Sequence, residues 1–295
     1  MNNDIRLKVK DNASPVTESC PICFHSAPIN FRQINGFEVW KCTCCQLLWV
    51  PNVDEKILRE FYDAEYFKSS GAIFGYHNYL EDEKILRLNA RYILANLPKF
   101  NGIPSKILDI GCAHGFLMDE ARKLSWEPYG VELSQEAVNY AVNHLRLKVF
   151  QGSVLRADFS DNMFDYVTIL GVLEHLQDPV RVIRETQRML KPSGYLAITT
   201  IDTNALMKLF KVKLPEHLYY FSAHNLSTLL HSCGYEVIKI VPYWCHYHLS
   251  EALCRAFRLI FRSGKRIEKY LESVPFLKIN MKVPTNEMFV LCRKK

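Results

Sequence analysis

Between residues 106 and 241 the chain switches repeatedly between two hydrophobic periods. Short apolar runs at 106–111, 128–133, 147–151, 164–170, 194–201 and 235–241 read as strands, and segments of helical spacing at 115–125, 134–145, 178–190 and 223–233 lie among them. One more strand is expected at 286–293, NEMFVLCR. Strands alternating with helices predict βαβ crossovers and a mostly parallel sheet. The punctuation agrees. Ser134 can cap one helix, Asp178-Pro179 opens another with proline at its first position, and the KPSGY turn at 191–195 ends that helix.

The flanks differ. Residues 1–18 read as a polar arm and 19–51 as a cysteine-rich unit. A lead-in at 52–100 has helical, aromatic-rich spacing, broken into two pieces at Gly71 and Gly75. The main α/β domain is expected over 101–295. Residues 243–281 interrupt it as a helical insert, with Leu253, Ala256, Phe257, Ile260 and Phe261 on one face. The insert holds seven Lys/Arg against three Asp/Glu. It reads as a cap on the core, with a membrane-surface helix at 250–262 or an oligomer contact as alternatives.

Bulk composition narrows the class. At 295 residues and 48% hydrophobic the chain can bury a sizeable core, and a net charge of +6 permits contact with nucleic acid without demanding it. The start, MNNDIRLKVKDN, lacks the apolar stretch of a leader, and no run is long enough for a membrane span. A cytoplasmic protein is expected, its ten cysteines being reduced thiols or metal ligands.

Four of those cysteines fall in a pattern. Cys20-Pro-Ile-Cys23 and Cys42-Thr-Cys-Cys45 are CxxC pairs separated by eighteen residues, a spacing that suits one tetrahedral zinc ion with no open position. Such a site is structural, and the metal stabilises a unit too small for a core of its own. Cys44 competes with Cys45 as fourth ligand, and CxxC geometry favours Cys45. Cys112, Cys233, Cys245, Cys254 and Cys292 have no metal spacing and read as small buried side chains.

The strongest chemical signal is KILDIGCAHGFL at 106–117, followed by an acid, Glu132, closing PYGVEL. Glycines after a strand let the backbone turn and approach a ligand, and a carboxylate ending the next strand can accept from a ribose diol. Together with GVELS, FQGSVLRADFS, LGVLEHLQDP, KPSGYLAITT and EHLYYFSAHNLSTLLHSCGYEV, the stretch closely resembles class I S-adenosylmethionine-dependent methyltransferases over about residues 60–242 and the last strand. Within them it is similar to small-molecule enzymes of the quinone-biosynthesis type with an N-terminal zinc ribbon. The resemblance implies a Rossmann-like seven-stranded sheet with its last strand antiparallel. It implies that Asp109, Gly111, Ala113 and Gly115 cradle the methionine end of S-adenosylmethionine, that Glu132 holds the ribose hydroxyls, that Gly152, Ser153 and Val154 flank the adenine, and that Leu133 is a further cofactor-binding residue. Leu170 and Gly171 would line the cofactor facing the acceptor, and Tyr66 and Tyr79 would belong to a lid. The chain departs from the family at Ala113, where a methyl group requires a negative φ, at Ser153, often acidic in relatives, and at Gln46, where such ribbons often carry glycine.

Methyl transfer from a sulfonium needs alignment, exclusion of water and removal of any acceptor proton. His217 in LPEHLYYFS and His175 in LEHLQDP are the candidate bases. His246 and His248, beside Tyr243, Trp244 and Tyr247, either floor a pocket or pack the insert. The expected activity is O- or C-methylation of a small-molecule acceptor such as a sugar, quinone or polyketide-like precursor. The rivals are an RNA methyltransferase using the ribbon and basic insert, and a non-catalytic cofactor-binding scaffold. Residues 1–60 hold seven basic and seven acidic side chains, which weighs against the RNA reading.

Overall fold

Seven strands order themselves around the run KILDI, which is apolar enough to be covered on both faces. The computed structural model describes residues 18–34, 36–51, 53, 80, 82–99, 105–204, 214, 216–249, 253, 274 and 279–295. The main elements are α1 (Glu83–Ala95), β4 (Lys106–Ile110), α2 (Phe116–Lys123), β5 (Glu127–Glu132), α3 (Gln135–Asn143), β6 (Lys148–Gln151), β7 (Phe164–Leu170), α4 (Pro179–Met189) and β8 (Leu190–Ile201). They are followed by α5 (Ala223–Ser232), β10 (Tyr235–His248) and β11 (Asn280–Lys294). The sheet order is β10-β11-β8-β7-β4-β5-β6, and β11 runs antiparallel to both neighbours. This is the Rossmann-like arrangement with an antiparallel last strand that the sequence predicts. The chain leaves β4 towards β5 and later returns on its other side as β7, which makes the end of β4 a topological switch point.

The period-2 pattern sorts the core into two layers. Leu108, Ile110, Val167, Ile169 and Ile198 face α4 and α5 (Val182, Ile183, Leu226, Leu229). Ile107, Tyr166, Ala197 and Leu291 face α1 and α2 (Ile93, Leu94, Leu117, Ala121). Caps form as expected: Ser134 Oγ accepts from Ala137 N–H and Asp178 Oδ1 from Arg181 N–H. Arg87 of α1 clamps the two helices by pairing with Asp119 and Glu120 of α2.

Two boundaries differ from expectation. The KPSG stretch, read as a turn, is already part of β8, which starts at Leu190 and pairs with β7 through a register shift between Phe164 and Tyr166. β10 also runs on to His248 and β11 begins at Asn280, so both ends of the predicted insert 243–281 are sheet rather than helix. The reason is a period of two: Tyr243 and Cys245 are buried while Pro242 and Trp244 are exposed. His246 packs on α1, its Nδ1 lying 3.0 Å from Asn89 Oδ1. Apart from Leu253, Val274 and Ile279, the insert between Leu249 and Asn280 lies outside the described residues, as do Tyr66, Tyr79 and the lead-in at 54–79.

The cysteine-rich unit contributes β1 (Ile29–Ile34), β2 (Phe37–Lys41) and β3 (Leu48–Trp49). They form a second sheet, β1-β2-β3-β9, in which β9 (Tyr219–Tyr220) comes from the α/β part. Cys20, Ile22, Leu47 and Trp49 share one core cluster with β7, α4 and α5. Among the described residues no helix is long and apolar enough to cross a membrane.

Candidate functional site

The cofactor-type loop is built by backbone geometry. Gly111 and Gly115 adopt φ +74° and +83°, and a Cβ on either would sit within 2.4 and 2.6 Å of Val172 and Leu147 side-chain atoms. Glu132, at the end of β5, reaches across: Oε2 accepts from Ala113 N–H at 2.9 Å, and Oε1 from Leu133 and Ser134 N–H at 2.8 and 2.9 Å. Ala113 itself lies at φ +45°, so the expectation of a negative φ is corrected. In this left-handed turn its N–H points at the Glu132 carboxylate. Leu133, expected among the cofactor-binding residues, is 63% exposed, and its backbone N–H donates to Glu132.

A second carboxylate stands beside the first. Asp109 on β4 is buried and accepts from Thr168 Oγ1 at 2.6 Å. Burial, with the charge of Glu132 adding to it, pushes its pKa up to about 7, against a lowering by Thr168. Burial also raises Glu132, against the lowering effect of its three backbone donors. A buried and a partly buried carboxyl at adjacent strand ends suit a ligand that brings hydroxyls and positive charge. Further along the same rim, Gly152 donates its N–H to Glu132 O at 2.8 Å and Ser153 Oγ caps the 3-10 turn Val154–Arg156. Gly171, after Leu170, has φ +62° with open space where a Cβ would be.

A cluster of two Glu-His pairs forms beyond β7. Glu174 and His175 lie in the 3-10 turn Leu173–His175, and Glu216 and His217 precede β9. The two imidazoles meet edge to face with centroids 4.7 Å apart. His175 Nδ1 lies 2.7 Å from the carbonyl oxygen of Glu216, so Nδ1 carries the proton and donates, leaving Nε2 as the acceptor. Glu174 Oε2 accepts from Thr200 Oγ1 at 2.8 Å. Donor atoms of Glu174, His175 and His217 lie within 4.8 Å of one another. The two candidate histidines, forty-two positions apart, are thus brought together. Glu174, Glu216, Thr168 and Thr200 were missed by sequence reasoning. The repeated Glu-His dipeptide was the available signal for the first two, and the threonines gave none.

The cysteines also converge. Cys20 Sγ is 3.7 Å from Cys45 Sγ and Cys23 Sγ is 3.5 Å from Cys42 Sγ, and all four sulfurs lie within 4.8 Å. Tetrahedral Zn–S bonds of about 2.3 Å place sulfurs ~3.8 Å apart, so the donor set fits zinc. Cys44 is exposed and outside this group. The two knuckles match bond for bond. Phe24 N–H donates to Cys20 O and Gln46 N–H to Cys42 O, while Cys20 N–H donates to His25 O and Cys42 N–H to Leu47 O. Phe24 and Gln46 both lie in the left-handed region, at φ 57° and 60°, so Gln46 adopts a backbone that glycine would take without strain.

The profile of the methyltransferase domain family matches residues 79–240, more than half of the chain. A ubiquinone biosynthesis O-methyltransferase of Aliivibrio fischeri is 32% identical over 139 residues, covering 45% of this chain and 58% of the relative. The mitochondrial ubiquinone biosynthesis O-methyltransferase of Schizosaccharomyces pombe is 33% identical over 121 residues, covering 38% and 44%. The chain therefore spans about half the length of these curated relatives. A SAM-dependent methyltransferase from Archaeoglobus fulgidus shares the fold, with a TM-score of 0.52 and 19% identity over 73% of this chain and 99% of that one.

Proposed function

The chain belongs to the methyltransferase domain family, and from that premise we propose that it transfers the methyl group of S-adenosylmethionine to an oxygen of a small-molecule acceptor. The observation that carries this reading is the pair of carboxylates, buried Asp109 and partly buried Glu132, on adjacent parallel strands at the switch point. Bound there, the cofactor supplies a methyl group already activated by a sulfonium charge. Glu132 accepts from the ribose hydroxyls, and its hold on Ala113 keeps the loop in the shape that receives them. Gly111 and Gly115 let the backbone approach the methionine end, which Asp109 faces with negative charge. Gly152, Ser153 and Val154 flank the adenine, and the open space at Gly171 admits the acceptor next to Leu170.

His217 takes the proton that leaves the acceptor hydroxyl as the new C–O bond forms. His175, its tautomer set by Glu216, presents Nε2 towards the same space and aligns the acceptor. Cys20, Cys23, Cys42 and Cys45 hold a structural zinc ion. The names of the relatives favour oxygen over carbon as the methylated atom.

The test uses calorimetry with S-adenosylhomocysteine and transfer of labelled methyl from S-adenosylmethionine to an ultrafiltered metabolite extract. His217→Ala is expected to lower transfer by about 10²–10⁴-fold and leave S-adenosylhomocysteine affinity within about twofold. Absence of any binding heat with wild-type protein overturns the assignment.

A further inference from the structure

The segment that carries His217 is held from two sides, and one of them is the ribbon. Strand β9 begins two residues after His217 and pairs with β3, Trp49 opposite Tyr219 and Leu48 opposite Tyr220. Leu218, the next residue after His217, donates its N–H to Glu174 O at 2.8 Å and accepts at its carbonyl from Val50 N–H at 2.9 Å. The peptide before His217 is held by His175 through Glu216 O. A single residue, Leu218, thus bridges ribbon and histidine cluster through its two backbone polar groups.

A second tie runs through a side chain. Asn225 is fully buried at the start of α5. Its Oδ1 accepts from Ser222 N–H at 2.9 Å in a capping box, while Nδ2 donates to the carbonyl of the knuckle cysteine Cys45 at 3.4 Å. An unpaired amide at so dry a site costs about 1–3 kcal/mol, so the pairing constrains both partners. A third tie lies at the rim, where Gln177 Nε2 donates to Val53 O at 3.1 Å and Tyr219 Oη to Gln177 O at 3.2 Å.

We propose that the four-cysteine ribbon is the positioning element for His217, with Asn225 as the positioning residue that couples the second knuckle to it. This rests on the role given to His217 above. A ribbon acting only as a docking module or as a source of stability needs none of these bonds to converge on the short stretch from Glu216 to Asn225. The ribbon therefore acts on transfer through the histidine cluster rather than through the cofactor loop, whose own bonds lie among β4, β5, α2 and β7.

Two substitutions separate positioning from stability. Asn225→Asp keeps the Oδ1 that caps α5 and turns the donor facing Cys45 into an acceptor. Ser222→Ala removes the reciprocal cap bond, Asn225 N–H to Ser222 Oγ, and leaves the knuckle tie intact. Both are made in the full-length, zinc-loaded chain with histidine rings labelled for NMR, and His217→Gln assigns the His217 signal. With Asn225→Asp the His217 ring signal is expected to shift, zinc release to a chromogenic chelator to quicken several-fold, and apparent kcat for methyl transfer to metabolite extract to fall up to ~10²-fold. The apparent KM for S-adenosylmethionine and the affinity for S-adenosylhomocysteine should stay within about twofold. Ser222→Ala should change none of these. If both variants reduce transfer in parallel with the folded fraction, or if Asn225→Asp folds and the His217 signal does not move, the coupling is refuted. If Asn225→Asp does not fold, zinc is stripped from the wild-type chain below its melting temperature. The His217 signal must then shift while that of His114, in the cofactor loop, stays; joint shifts or none refute the proposal. If wild-type protein transfers no methyl at all, the catalytic role of His217 fails, and the NMR and zinc measurements still decide the coupling.

Discussion

The cofactor loop and the seam between ribbon and histidine cluster are both turns locked by backbone hydrogen bonds, yet they are assembled in opposite ways. The loop needs only the contiguous stretch from Asp109 to Ser134 and the neighbouring Thr168. The seam needs three distant stretches, around Cys45–Val50, Glu174–Gln177 and Glu216–Asn225. A site made of one βαβ unit is fixed as soon as that unit folds. A site made of three stretches is fixed only when something cross-links them, and here the cysteine cluster stands at that point. Their independence is open to direct attack. The largest effect should come from removing zinc. A structural four-cysteine site couples metal binding to folding, and Cys20, Leu47 and Trp49 belong to the main core. The thermal midpoint should drop by about 10 °C or more, measured by scanning calorimetry with and without chelator. Below that temperature the S-adenosylhomocysteine heat should persist; its loss would join the two regions into one.

The loop is attacked at Glu132. Its carboxylate accepts three backbone N–H groups and is proposed to accept the ribose hydroxyls, and hydrogen bonds to a charged acceptor contribute about 1.5–3 kcal/mol. Glu132→Ala should weaken S-adenosylhomocysteine by about 100-fold in calorimetry and leave zinc release unchanged. Faster zinc release in this variant would show the regions to be coupled in the reverse direction.

A pH series gives a smaller effect, confined to the loop. Asp109 is held up to about pKa 7 chiefly by burial, with the charge of Glu132 adding to it. For a carboxyl raised in the folded state, the stability it contributes is complete below its unfolded pKa of about 4 and is lost as pH rises through 7. A cationic ligand reverses that preference by favouring the ionised form. Between pH 6 and 8 the affinity for S-adenosylmethionine should therefore rise relative to that for the uncharged sulfur of S-adenosylhomocysteine, by up to about tenfold. Asp109→Asn should flatten the ratio. Should the ratio be flat in wild type, the sulfonium does not sit near Asp109.

The same division decides what could be read from the chain. The alternating periods of 106–241 located the strands and helices, because each element covers its own face. CxxC spacing located four sulfurs that the structure brings within 4.8 Å. The Glu-His cluster was legible only in part. His175 and His217 stood out by their chemistry, but nothing local says that Glu216 O meets His175 or that β9 pairs with β3, since both contacts join segments far apart in sequence. The extension of β10 to His248 was missed because aromatics and histidines mask an alternation that burial makes plain.

The smallest effect asks whether strain in the two regions has the same meaning. Ala113 in the loop and Gln46 in the knuckle both hold a left-handed backbone, the conformation that favours glycine, at φ 45° and 60°. That conformation costs an L-residue about 1–2 kcal/mol, and glycine gives back about 0.5–1 kcal/mol in chain entropy. Each glycine replacement should therefore raise stability by at most about 1.5 kcal/mol, or about 3–6 °C. Gln46→Gly also loses the bond from Nε2 to Thr43 O at 2.8 Å, which lies on the surface and offsets part of the gain. Ala113→Gly has no such loss, because its N–H still reaches Glu132. Its gain should be the larger of the two in calorimetry, with S-adenosylhomocysteine affinity unchanged within about twofold. If Ala113→Gly instead weakens that affinity by about tenfold, the methyl group of Ala113 holds the loop in its binding shape, and the loop depends on strain where the seam depends on a metal.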